Sequence, residues 1–282
     1  MKRLIGFMVL FMATLFATSP NQILKMAKDS GLEAMPKGKE LKNFQIQKIK
    51  ELGIKAKKVF TQEQIELGKM IYFDPRISSS NLISCNTCHN LALGGADLVP
   101  AAIGHGWKAN PLALNSPTVY NSIFNAVQFW DGRVHNLGDQ AQGPIQSDVE
   151  MSAPADLVVQ KITSIPEYVQ AFQKAYGKDI KIDFELITNT IAIFEASLVT
   201  PSRYDEFMSG NLKALNKEEQ EGLELFVQKG CASCHSGVNL GGTMQAFAVA
   251  KPYKFADIGG FKGDQDGLIK VPTLRNVAET MP

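Results

Sequence analysis

Cysteine and histidine are scarce in this 282-residue chain, four of each, and tryptophan occurs only twice. So few cysteines exclude a disulfide-rich scaffold, and so few histidines leave little to spare for any metal centre. Charge of one sign is lacking too, since 29 basic side chains stand against 28 acidic ones. A net charge of +1 gives no push toward nucleic acid or an anionic membrane surface, so any charged docking surface must be local. No long hydrophobic run is present either. Leu4 to Phe16 is apolar but falls short of the roughly 20 residues that span a bilayer. Preceded by Met1-Lys2-Arg3 and followed by Ala17-Thr18-Ser19, it reads as a secretory signal over residues 1–19, which implies export to the periplasm. A membrane anchor is the competing reading.

What is present is a chain with enough apolar residues for a sizeable core and a length that suggests two domains. Residues 20–60 form a Lys-rich extension, expected as an exposed helix or a tether, with no function assigned. Beyond it, Thr61-Gln62-Glu63-Gln64 is a capping box opening a helix that Asp74-Pro75 ends. Phe184 to Leu198 carries apolar residues at helical spacing, an amphipathic helix broken at Thr200-Pro201-Ser202. Asn216 caps a further helix, with Gly230 as its stop. The stretches Gly94 to Pro117 and Gly237 to Gly267 read as long loops. The expected fold is mainly α, with few or no strands.

The four cysteines form two pairs, Cys85/Cys88 and Cys231/Cys234, each followed at once by a histidine, His89 and His235. In a CxxCH pattern two thiols add to the vinyl groups of one haem and the adjacent histidine ligates its iron. Two haem c groups are therefore expected. Two disulfides, or one zinc shared by both pairs, are the alternatives; neither explains why a histidine follows each pair. A glycine four residues before an aromatic precedes both motifs, Gly68/Tyr72 and Gly222/Phe226, which suggests a duplicated cytochrome unit. Of the two other histidines, His105 lies in Gly104-His105-Gly106, where glycines let backbone approach a haem edge, and is the candidate sixth ligand. His135, among polar residues, reads as a surface histidine.

From Gly68 onward the sequence resembles the bacterial dihaem cytochrome c peroxidases, relatives of the MauG-type enzymes. The motifs that carry the resemblance include Phe73-Asp74-Pro75-Arg76, the two CxxCH sites, Gly104-His105-Gly106, Asn115-Ser116-Pro117-Thr118, Phe129-Trp130-Asp131-Gly132-Arg133, Gln140 to Ile145, Glu150-Met151 and Pro272-Thr273-Leu274-Arg275-Asn276. The resemblance implies two cytochrome c-like haem domains with long loops: an N-terminal peroxidatic domain over 61–203 and a C-terminal electron-transfer domain over 204–282. It implies reduction of hydrogen peroxide at the first haem, with His89 as proximal ligand and His105 as removable distal ligand. Gln140 and Glu150 match the family's active-site pair, Trp130 the tryptophan between the haems, and Met151 the methionine that supports the active-site loop. His235 ligates the second haem, which takes electrons from a small cytochrome c or similar donor. A calcium ion between the domains would be held by Asn115 with the carbonyls of Lys270 and Pro272. Homodimers are common in the family.

Relatives continue past Pro282 through a tail that supplies the sixth ligand of the second haem, methionine in peroxidases and tyrosine in the MauG type. The C-terminal domain is therefore expected without its tail, and Met281 falls before the usual ligand position. Ser147-Asp148 stands where relatives often have Asn-Pro. Two other readings stay open: a dihaem electron-transfer protein without peroxidase activity, and a MauG-like oxidase of a partner protein.

Overall fold

A computed structural model describes residues 18–246, 261 and 263–280. The signal segment, apart from its last two residues, and Met281 lie outside them. The described chain is mostly helical: α1 Pro20–Asp29, α2 Gly38–Lys50, α3 Gln62–Phe73, the single turn α4 Cys85–Cys88, α5 Leu137–Gln146, α6 Ala155–Thr163, α7 Pro166–Tyr176, α8 Phe184–Glu195, α9 Arg203–Met208 and α10 Lys217–Gln228. Two three-residue strands, β1 Met244–Ala246 and β2 Leu268–Lys270, pair antiparallel with Gln245 opposite Ile269.

Local signals act where they were expected. Thr61 caps α3 with the reciprocal Gln64 bond, and Asp74 ends it. Asn216 caps α10 with Glu219, and Gly230 sits beyond its end with φ of +80°.

The main core lies where α3 crosses α8, with Leu67, Ile71, Ile187 and Ile191 between them and Val158 and Phe172 of α6 and α7 closing the sides. A glycine is required at that crossing. A Cβ on Gly68 would lie 2.2 Å from the Thr190 carbonyl oxygen and 2.8 Å from Phe194 Cβ. Gly222, its echo in sequence, has nothing within 4 Å, so the repeat does not extend to equivalent packing among the described residues. Gly68→Ala should therefore cost at least about 2 kcal/mol by overpacking. Gly222→Ala should be neutral or stabilise by up to about 1 kcal/mol through helix propensity. Chemical denaturation measures both, and equal effects would contradict this packing.

Two expectations change. The helix expected to run from Phe184 to Leu198 ends at Glu195, and it is buried all round rather than on one face: every residue from Leu186 to Glu195 is inside. Its polar members find partners within the core, Thr190 Oγ1 donating to the Leu186 carbonyl and Asn189 Nδ2 to the Leu52 carbonyl. Residues 20–60 are no exposed tether. Ile49 and Leu52 join a second cluster with Ile123, Leu137 and Ile193, while Ile23 and Ala27 of α1 join a third with Phe207, Met208 and Ala232. Amphipathic spacing on α1 and α2 pays off only against partners far along the chain.

The clusters also divide the chain. The first two draw on residues 44–199, whereas the third draws on 23–34 and 204–240. The N-terminal helix thus packs with the C-terminal half. A buried ion pair ties that half together: Arg275 Nη1 and Nη2 meet the two oxygens of Asp205 at 3.0 and 2.8 Å. Asp205 also accepts from the Met35 N–H at 2.7 Å, and Arg275 Nε donates to the Val238 carbonyl just past the second CxxCH motif.

Candidate active site

The first CxxCH motif is held by the core beneath it. Cys85 begins a one-turn helix whose preceding residue, Ser84, is bonded to Thr87. The phenol of fully buried Tyr72 donates to the His89 carbonyl at 2.6 Å. His89 Nδ1 lies 2.9 Å from the Pro117 carbonyl. A carbonyl only accepts, so Nδ1 carries the proton and Nε2 keeps its lone pair. Burial, the largest influence on this imidazole, also favours its neutral form. His235 repeats the device, with Nδ1 3.1 Å from the Leu240 carbonyl and the Phe226 ring 6.5 Å away.

Among the described residues no three His, Cys, Asp or Glu gather as a metal site, which removes the shared-zinc alternative. A haem suits the donor set better. Cys85, Cys88 and His89 line one cavity whose walls include the apolar Ile83, Ala141, Pro144, Ile145 and Ile191. Cys231 and Cys234 are exposed.

The same cavity collects Trp130, Gln140, Glu150 and Met151. Gln140 comes from α5, one turn before Pro144, whose ring nitrogen cannot bond back to the Gln140 carbonyl. Glu150 sits in a turn closed by its N–H to the Ser147 carbonyl and by the Met151 N–H to the Pro144 carbonyl. Met151 is 4% exposed, packed in the main core, and its carbonyl accepts from the Ser79 N–H. The loop that presents Glu150 is thus anchored one residue later. Burial raises the Glu150 carboxyl above its ordinary 4.5, opposed by a hydrogen bond from Ser147 and the charge of Arg133. Trp130 Nε1 donates to the Asn115 carbonyl at 3.0 Å, and its own carbonyl accepts from the Lys270 N–H at 2.8 Å. This residue bridges the two halves of the chain.

His105 is not brought into the cavity. It lies in a short 3-10 turn with Nδ1 3.4 Å from Ser79 Oγ. Its loop nevertheless touches the Glu150 loop, because a Cβ on Gly104 would stand 2.2 Å from the Val149 carbonyl oxygen and 2.7 Å from Glu150 Cα. His135 is exposed, as expected. Asn115 Nδ2 is bound to the Val99 carbonyl at 2.7 Å, which leaves Oδ1 as its acceptor. The Pro272 carbonyl packs on Gly241, where a Cβ would come within 2.5 Å of it.

Three cavity residues escaped sequence reasoning. Arg133 stacks over the Phe129 ring at 3.4 Å and pairs with Asp131. The Lys270 side chain, considered only for its carbonyl, is buried beside His89 in a smaller adjoining cavity, and burial brings its pKa down to about 8. Glu195 lines both cavities from α8. A carboxyl in an otherwise apolar stretch of Ile191, Ala192, Ile193 and Phe194 was the available signal.

Burial pushes Glu195 up to about 8 from an ordinary 4.5. Between those values the folded chain holds a proton that the unfolded chain has released, so stability falls as pH rises through that window. Glu195→Gln should gain on the wild type by several kcal/mol at pH 8 and by little at pH 4.5. Thermal unfolding of the two holoproteins at both pH values measures this. An equal difference at both would contradict it.

A family profile described as di-haem cytochrome c peroxidase matches residues 62–213. The cytochrome c551 peroxidase of Pseudomonas aeruginosa is 47% identical over 236 residues, covering 79% of this chain and 67% of the relative. That of Nitrosomonas europaea is 43% identical, covering 81% and 70%. The crystal structure of the diheme peroxidase BthA from Burkholderia thailandensis, 22% identical, superposes with a TM-score of 0.65 over 77% of this chain and 66% of that one, which shows the shared fold. The chain belongs to the di-haem cytochrome c peroxidase family.

Proposed function

We propose that this protein reduces hydrogen peroxide to water, taking two electrons from a periplasmic cytochrome c-like donor. The observation that carries this reading is the convergence of Glu150, Gln140 and Trp130 on the cavity formed by the first CxxCH motif. The relatives at 47% and 43% identity, named cytochrome c551 peroxidases, support it. The balance is one peroxide, two protons and two electrons to two waters. Haem, when bound, supplies the iron position for peroxide and the electron store. Glu150 takes a proton from one peroxide oxygen and returns it to the other as the O–O bond breaks, and Gln140 orients the substrate by hydrogen bonding. Trp130, whose carbonyl accepts from the Lys270 N–H, would pass the electron on from the His235 haem.

In this reading the peroxidatic domain spans 61–203 and the electron-transfer domain 204–282. The signal peptide directs export; among the described residues no helix is long and apolar enough to cross a membrane. Asn115 Oδ1 with the carbonyls of Lys270 and Pro272 offers oxygen donors of the kind calcium takes.

His105 is the gate. Because Gly104 abuts the Glu150 backbone, movement of the His105 loop moves the general base as well. His105→Gly should turn over peroxide from the fully oxidised state, where wild type requires prior reduction of the second haem. Steady-state oxidation of reduced cytochrome c, started from oxidised enzyme, tests both the activity and the gate. Unchanged dependence on pre-reduction would exclude the gate, and no turnover under any condition would exclude the peroxidase.

A further inference from the structure

Between residues 37 and 58 stand eight lysines against two glutamates, in a chain whose net charge is only +1. The fold gathers part of this charge around a groove of about 1030 Å³ between α2, the loop that follows it and the start of α3. Five apolar residues line it, Leu41, Ile46, Ile54, Phe60 and Ile65, beside the buried Gln45. Its rim carries Lys42, Lys50, Lys57 and Lys58, all exposed, and no acidic residue lines it. None of the four lysines is in an ion pair among the described residues. Phe60 is held at φ of +59°, a left-handed conformation that a bulky side chain keeps only where its surroundings impose it. The groove shares no lining residue with the haem-motif cavity.

We infer that this groove docks an acidic amphipathic helix of a partner protein, its apolar face against the five apolar residues and its flanking carboxylates against the lysine rim. Concavity argues for a polypeptide segment over a lipid surface, since lysines set around a recess cannot all meet a flat headgroup plane while the apolar residues are also covered. The absence of carboxylates sets the sign of the partner.

The test uses the holoprotein and a fluorescein-labelled 15-residue helical peptide with leucine along one face and glutamate on both flanks, read by anisotropy. Binding that weakens with salt is expected. Converting Lys42, Lys50, Lys57 and Lys58 to Glu should weaken it at least about tenfold. Converting the exposed Lys28, Lys178, Lys213 and Lys229 to Glu should leave it unchanged. Ile46→Ser should weaken it at high salt as well, when the rim is screened. Equal loss in both lysine variants, or equal binding of a peptide with lysine flanks, would overturn the inference. So would preferential binding of phosphatidylglycerol vesicles through the groove lysines, or self-association that their reversal abolishes, because the occupant would then be a membrane or a second copy of this chain.

Discussion

Glu150→Gln should lower peroxidase turnover by about 10²- to 10⁴-fold while leaving both haems attached and the donor able to reduce the second one. The glutamine keeps the size and hydrogen-bonding reach of the side chain but cannot accept the peroxide proton. Its carboxyl parent is held above the ordinary carboxylate range, chiefly by burial. Wild-type activity should therefore rise with pH through that raised value, and this acidic limb should be absent from the residual activity of the variant. Stopped-flow donor oxidation across acidic pH measures both features. The substitution should cost little stability, because it removes a carboxylate that burial disfavours. A variant with near wild-type rate would place the base elsewhere, and Glu195 would be the first residue to replace.

Arg275→Met should destabilise the holoprotein by about 3–5 kcal/mol, the largest loss of stability expected from a single substitution here. Asp205 and Arg275 are 0% and 3% exposed at their side chains. Burial alone would raise Asp205, yet the Arg275 guanidinium and the N–H groups of Met35 and Ser202 hold it low. Without the guanidinium the carboxyl is left buried with only those backbone donors and the Ser202 hydroxyl. The residues around it belong to four separated segments, so the link between α1 and α2, α9, the second CxxCH loop and the chain after β2 should all lose anchoring. Paired with Asp205→Leu, the substitution should recover much of the loss, since no unpaired charge remains. Urea unfolding of the two variants measures this. A cost below about 1 kcal/mol for Arg275→Met would show that water reaches the pair.

The residues that were legible in advance act locally. The caps at Thr61 and Asn216 satisfy helix N–H groups within three residues, so their signal is complete in a short stretch of chain. The CxxCH motifs are legible for the same reason. What was not legible depends on partners far away. Ile23 and Ala27 look like one face of an exposed helix until Phe207 and Ala232 cover them. Gly68 and Gly222 are alike in sequence, and only α8 makes the first indispensable. Glu195 resembles an ordinary helix-end carboxylate until the helix proves to be buried on every side. His105 shows a different limit. Its sequence neighbours suit a ligand, but where it sits depends on how its loop packs, and here that loop lies beside Ser79.

The most direct test mixes fully reduced holoprotein, both haems ferrous, with one equivalent of hydrogen peroxide without oxygen or donor, and follows the two haem spectra by stopped flow. Both haems should lose their electrons to that single equivalent, with the Glu150→Gln variant slowed at the same step. Oxidation of only one haem, or a requirement for two equivalents, would contradict a site in which two haems serve one peroxide.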